Sequence, residues 1–280
     1  MIDNPINANL LKTPRSFSHY FKDSSMCRYI FIIISLILSS TALSAQLVET
    51  IAKIKPSVVG VGVYTPTGKP RNTLQGSGFV IGNGQYVVTN HHVVPEQLEK
   101  DLLQELVIFT GSGKSATVRK ATLVDSSKRY DLAVLKIKGK PLPAMLLANE
   151  SLYPEGSYVA FTGFPIGSVL GLYPVTHRGI IANVSPTITP VDNAGHINIA
   201  MLKRLRDPYL VYQLDATAYP GNSGSALYEI ETGKVIGVIN KVFVQQSKEG
   251  VISNPSGITY AIPVKHVIEL LEKNNITFQK

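Results

Sequence analysis

The chain holds 280 residues, 44% of them hydrophobic and 16% charged, with 22 Gly, 17 Pro, one Cys and no Trp. So large an apolar share excludes a disordered chain, and the glycines and prolines carry no collagen-like period. One cysteine excludes a disulfide framework and a cysteine-based zinc cluster, while the formal charge of +8 raises nucleic acid as a partner until processed segments are set aside.

In chain order the first feature is YIFIIISLIL (29–38), preceded by Arg28 and followed by SSTALSA (39–45). Positive flank, short apolar core and small-residue end predict a secretory signal peptide over residues 1–45, cleaved after Ala45 or one residue earlier. A membrane span needs about 20 apolar residues and this run offers about half that, so no stable anchor is expected once the signal is cleaved. Met26 stands just ahead of the charged flank, so residues 1–25 are either untranslated or an unusually long leader. Removing 1–45 takes away Lys12, Arg15, Lys22, Arg28, Asp3, Asp23 and Cys27, and the charge falls by two to +6. The expected product is exported, periplasmic or secreted, where a moderate positive charge meets no nucleic acid.

Next, Leu47, Ile51 and Ile54 make a short amphipathic lead-in that Pro56 closes. Short apolar runs rich in Val, Ile and Thr then follow one another, broken by Gly, Pro or Asn: SVVGVGVY (57–64), GSGFVIG (76–82), QYVVTN (85–90), ELVIFT (105–110), LAVLKI (132–137), SYVAFTG (157–163), GIIANV (179–184), LVYQL (210–214) and KVIGVIN (234–240). This texture predicts an all-β sandwich or barrel, here two barrels of about 100 residues each split near residue 150. After Pro263, the residues Val264, Val267, Ile268 and Leu271 fall on one stripe of a terminal helix.

Two motifs are set aside. GSGKS (111–115) resembles the end of a phosphate-binding loop, but Ile108 stands where that motif needs Gly, and SATVRKATLV (115–124) alternates like a strand. A hairpin turn is expected instead. His91 and His92 are adjacent, so on a strand they would point to opposite faces, and no HExxH or carboxylate cluster completes a metal shell. Neither a metal nor any other cofactor is expected.

The chemistry is carried by three segments. In DATAYPGNSGSAL (215–227), Ser223 sits between glycines on a tight turn, where the amides of Gly221 and Ser223, with Asn222 between them, would form an oxyanion hole. The same letters also spell an ordinary turn. A serine hydroxyl needs a base and an orienter of that base. TNHHVV (89–94) supplies His92 at a strand end, and RYDLAVLKI (129–137) supplies Asp131 ahead of an apolar strand. The order His, Asp, Ser excludes an α/β-hydrolase, whose serine comes first.

On these residues the chain resembles trypsin-like (chymotrypsin-fold) serine proteases, and within them the protease domain of the Deg/HtrA family. The matching stretches are GSGFVIGNGQYVVTNHHVV (76–94), YDLAVLKIK (130–138), GFPIG (163–167), GNSGSAL (221–227), KVIGVIN (234–240) and ITYAIP (258–263). The resemblance implies a protease domain over 46–280. It would hold two six-stranded antiparallel β-barrels, about 57–150 and 151–262, with a terminal helix at 263–274. It assigns the triad to His92, Asp131 and Ser223. Three departures stand out. Ser225 replaces the second glycine of GNSGG, as in glutamyl endopeptidases of the same fold. No PDZ domain is expected after the helix, and residues 186–209 make an insertion whose Lys203, Arg204 and Arg206 are expected to form a solvated basic loop. Asn222 stands where digestive relatives keep an Asp, so no switch by a new N-terminus is expected.

The same resemblance places the specificity pocket at Thr217 and Ala218 and on the strand carrying Gly237, Val238, Ile239 and Asn240, none of them charged. An uncharged wall does not repay the desolvation of a charged side chain. Cleavage is therefore expected after Val, Ile, Ala or Leu, in unfolded or extended polypeptides. The alternative is a peptide-binding or chaperone-like module of the same fold, which would have no need of all three triad groups.

Overall fold

Short apolar runs rich in β-branched residues and bounded by turn residues bury their side chains in extended strands that pair with one another. The computed structural model describes residues 46–166, 171–187, 208–240 and 258–280, and it is built this way. Strands β1 (Val58–Tyr64), β2 (Asn72–Ile81), β3 (Tyr86–Thr89), β4 (Glu105–Thr110), β5 (Thr117–Ser127) and β6 (Leu132–Ile137) close one barrel in the order β1-β2-β3-β6-β5-β4. Strands β7 (Tyr158–Gly163), β8 (Val175–Pro186), β9 (Leu210–Asp215), β10 (Ala226–Glu229), β11 (Val235–Asn240) and β12 (Ile258–Pro263) close a second in the order β10-β11-β12-β9-β8-β7. Helix α1 covers 46–54 and helix α2 covers Val264–Lys273.

The expected pair of six-stranded barrels with a terminal helix is what forms. The expected signal, and residues 188–207 of the expected insertion, lie outside the described residues. The segment 111–116 turns a hairpin whose flanking pair is Thr110 with Thr117, and a strand rather than a helix follows it. Strand β8 begins four residues before its expected start, because Val175 to Gly179 continue the ladder with β7 down to the pair Gly163–Val175. Among the described residues no helix is long and apolar enough to cross a membrane.

Two buried clusters explain why the apolar runs are continuous rather than alternating. Val80, Val87, Ala133, Leu135 and Ile137 point into the first barrel with Val59, Val61 and Ile108. Their strand neighbours Phe79, Ile81, Val88, Leu132 and Val134 point outward, into a second cluster shared with Phe161, Ile181 and Tyr212 of the second barrel and with Val267, Ile268 and Leu271 of α2. Strands β2, β3 and β6 are thus buried on both faces. These are the strands whose ends carry the first barrel's share of the site.

Candidate active site

Strand β3 ends at Thr89, and the chain then enters a short 3-10 turn, His91–Val93. His92 thus follows the strand end, as expected, and both histidines stand on the turn rather than along the strand. Opposite, the β5–β6 hairpin carries Asp131 at its tip, with φ +51°, a left-handed step that costs a non-glycine residue roughly 1 kcal/mol. The step aims the carboxylate at the turn. His92 Nδ1–H donates to Asp131 Oδ2 at 2.6 Å, and the His92 backbone N–H donates to Oδ1 at 2.9 Å. The Asp131 carbonyl accepts from His91 N–H at 3.1 Å and from Asn90 Nδ2 at 2.9 Å. Asp131 is 7% exposed, and a carboxylate so buried must be fully hydrogen-bonded.

The third donor comes from the other barrel. Asn240 Nδ2, at the end of β11, donates to Asp131 Oδ2 at 2.9 Å. Asn240 was expected on the pocket wall, and its side-chain amide is turned onto the carboxylate. Nothing in the local sequence signals this, since the contact depends on how the two barrels meet.

Ser223 lies on a turn between Gly221 and Gly224, with φ +99° and +87°. Gly224 N–H donates to Ile239 O at 3.0 Å and Ile239 N–H returns a bond to Ser225 O at 2.9 Å, hooking the turn onto β11. A Cβ at Gly224 would overlap Ser77 O and Thr89 Oγ1 and would sit 3.2 Å from Asn90 N. The serine turn is therefore pressed against the end of β3, where the His92 turn departs. Ser77 on β2 fastens it there. Its N–H donates to Ser223 O at 2.8 Å, its hydroxyl donates to Gly221 O at 2.6 Å, and Phe164 N–H donates to that hydroxyl at 2.9 Å. Sequence reasoning missed Ser77, although it stands inside GSGFVIG.

The three expected oxyanion residues do not behave alike. Asn222 N–H donates to Tyr219 O at 3.0 Å, so this amide is committed within the turn, and Gly221 and Ser223 are left as the candidate pair. Pro220 O accepts from Ile166 N–H at 2.6 Å. In a trans peptide the C=O and N–H point oppositely, so the Gly221 N–H faces away from Ile166. Ile166 has φ +47°, a backbone outlier for a β-branched residue and the kind of strain that collects at functional sites. Ser225 occupies the space over Gly163, where any Cβ would overlap its hydroxyl. The glycine at 163 makes room for the departure from GNSGG.

Of the remaining pocket candidates, Thr217 is partly exposed and Ala218 is 9% exposed. Val238 and Ile239 are fully buried and belong to the shared core. Thr259 Oγ1–H donates to Ala216 O at 2.6 Å, tying this segment to β12. Behind it, His177 on β8 stacks on Phe161 at 4.9 Å and leans on Tyr219 at 5.9 Å. Burial pushes the His177 pKa below its ordinary value of 6.5. Among the described residues no three His, Cys, Asp or Glu side chains converge as a metal shell.

Comparison with known proteins finds relatives of this chain. The trypsin-like peptidase domain matches residues 76–238. A probable periplasmic DegP-like serine endoprotease from Halomonas elongata is 29% identical over 199 residues, covering 71% of this chain and 34% of that protein. One from Pseudomonas putida is 29% identical over 209 residues, covering 74% and 36%. The chain thus spans about a third of the length of these relatives. The crystal structure of a serine endoprotease from Yersinia pestis superposes with a TM-score of 0.56 at 25% identity, over 81% of this chain and 66% of that one. The HtrA-type protease AlgW with a decapeptide, at 23% identity and TM-score 0.59 over 82% and 67%, shares the fold.

Proposed function

Because the chain belongs to the trypsin-like peptidase domain family, we propose that it is an exported serine endopeptidase using Ser223, His92 and Asp131. The observation that carries the reading is the pair of bonds from His92 to Asp131, at 2.6 Å through the ring and 2.9 Å through the backbone, beside the turn that presents Ser223. Asp131 accepts the Nδ1–H and so leaves Nε2 of the neutral ring free as a base. Ser223 Oγ attacks the peptide carbonyl as Nε2 takes its proton, and the imidazolium formed is stabilised by the Asp131 carboxylate. Charge on the carbonyl oxygen is met by the Gly221 and Ser223 amides, an arrangement whose loss typically costs about 10²–10³ in rate. Collapse passes the proton from Nε2 to the leaving amine and leaves an acyl-Ser223 ester. Water, activated by the same imidazole, then hydrolyses that ester.

The uncharged wall of Thr217 and Ala218 supports cleavage after small apolar residues. Each buried methylene is worth only about 0.8 kcal/mol, so discrimination among Val, Ile, Ala and Leu is loose. The substrates are unfolded or extended polypeptides, which can lie along the cleft between the barrels. Export is supported by the signal-like pattern of residues 1–45 and by relatives named periplasmic. Cleavage of a denatured protein mixture, with the new termini identified by mass spectrometry, tests the reading. Cuts after Val, Ile, Ala and Leu that disappear in Ser223→Ala are expected. Dominant cuts after Lys, Arg or Glu would overturn the pocket, and equal cleavage by Ser223→Ala would overturn the nucleophile.

A further inference from the structure

Asp131 stands in a left-handed backbone conformation at the tip of the β5–β6 hairpin, and such a residue keeps its aim only if its neighbours are held. On its C-terminal side the Asp131 carbonyl is pinned by His91 N–H and Asn90 Nδ2. On its N-terminal side stands Tyr130, whose N–H donates to Ser127 Oγ at 3.3 Å and whose ring meets an element far away in sequence. The Tyr130 ring stacks on the imidazole of His266 in α2, with centroids 3.8 Å apart and planes 17° apart. Tyr209, just before β9, closes the cluster with its ring at 5.0 Å from Tyr130 and 5.5 Å from His266, both near-perpendicular. His266 is itself fixed: it is 5% exposed and its Nδ1–H donates to Glu269 Oε2 at 3.0 Å.

Helix α2 grips the same hairpin a second time. Lys273 Nζ and Asn274 Nδ2 donate to Asp125 Oδ2 at 2.8 and 2.9 Å, at the point where the β5–β6 register shifts between Leu123 and Asp125. One helix therefore holds the hairpin along its length and at its tip. Its apolar face is meanwhile anchored in the core that both barrels share.

We infer that α2 is a splint for the hairpin that carries the triad acid, and that His266, through its stack on Tyr130, is a positioning residue for Asp131. This rests on the triad reading above. His266 touches neither substrate nor reacting atoms; it acts by keeping Asp131 aimed at the His92 ring. Burial pushes the His266 pKa down, so the stack is a neutral aromatic pair that phenylalanine can imitate and alanine cannot. The stack joins residues 130 and 266, and no local pattern in the sequence announces it.

The test compares His266→Ala, His266→Phe and Tyr130→Leu with wild type on two readouts. One is kcat and KM on a peptide substrate. The other is the downfield proton resonance of the hydrogen bond between His92 Nδ1 and Asp131, which needs no turnover. His266→Ala should lower kcat about tenfold with KM nearly unchanged, and should shift or broaden that resonance. His266→Phe should restore both, and Tyr130→Leu should reproduce the alanine result. A folded His266→Ala with wild-type kcat and resonance overturns the inference, as does a phenylalanine variant no better than the alanine one. If His266→Ala does not fold, Tyr130→Leu decides by the same criteria. A wild-type protein without activity defeats the protease reading alone, because the resonance still reports whether His266 sets the His92–Asp131 pair.

Discussion

Asn240 gives its amide to the carboxylate oxygen that already carries the His92 ring. A hydrogen bond to a charged group is worth about 1.5–3 kcal/mol. Asn240→Ala should therefore lower kcat/KM roughly tenfold or more with KM little changed, while Asn240→Asp should cost more by placing a second carboxylate against Asp131. Steady-state kinetics on a peptide substrate checks both. Equal KM and kcat losses in the alanine variant would mean that Asn240 lines the pocket after all. Ile166 makes a separate prediction. Its N–H holds the Pro220 carbonyl while its backbone sits at φ +47°, a conformation proline cannot adopt. Ile166→Pro loses both the donor and the conformation and should abolish activity in a folded protein. Ile166→Gly keeps the donor and should stay active. His92, Asp131 and Ser223 are legible in the sequence because each sits where an apolar run meets a turn. Asn240, Ser77 and Ile166 are not, because their roles come from hydrogen bonds across elements that no local pattern records.

At the scale of elements, α2 and β8 set the response to acid. Burial lowers the pKa of His266, against the opposing pull of Glu269 and with smaller contributions from Lys265 and Arg129. His177 is lowered by burial alone. A histidine kept neutral by folding leaves stability flat above about pH 6.5, where neither state is protonated. Stability falls as pH drops below that, since the unfolded chain takes up the proton first. Thermal midpoints should thus decline between pH 7.5 and 5, and replacing both histidines with phenylalanine should flatten that slope. An unchanged slope would contradict the assignment. Asp125 acts lower on the scale. The hydrogen bonds from Lys273 and Asn274 hold its pKa at about 2, so its contribution is complete above about pH 4 and is lost as pH falls toward 2. The group is largely solvated, and the loss is correspondingly small. The α2 stripe was expected from Val264, Val267, Ile268 and Leu271, but the buried face also takes in His266 and Leu270. Periodicity alone leaves His266 out, because a polar residue is not counted until its stacking partner is known.

For the whole molecule, the shared core makes the two barrels interdependent. Phe79, Ile81, Leu132 and Val134 of the first barrel pack in one cluster with Phe161 and Tyr212 of the second and with α2. Phe79→Ala should cost about 3–5 kcal/mol, and the described chain should unfold in urea as one transition. Tyrosine fluorescence and circular dichroism should coincide, and two separated transitions would show that the barrels are independent. The fold class was legible because nine short runs separated by turn residues leave few alternatives to a pair of barrels. The meeting of the barrels was not, since a run buried on both faces reads the same whatever covers the second face. The proposed enzyme depends on that meeting, with the His92–Asp131 pair contributed by one barrel and Ser223 by the other. Its most direct test is labelling with a fluorophosphonate, which reacts only with a serine activated by its base and oxyanion donors. A single adduct on Ser223 in the wild-type protein, absent from Ser223→Ala and from His92→Ala, is the predicted result. Folded wild-type protein that takes up no label, or takes it up elsewhere, would contradict the account.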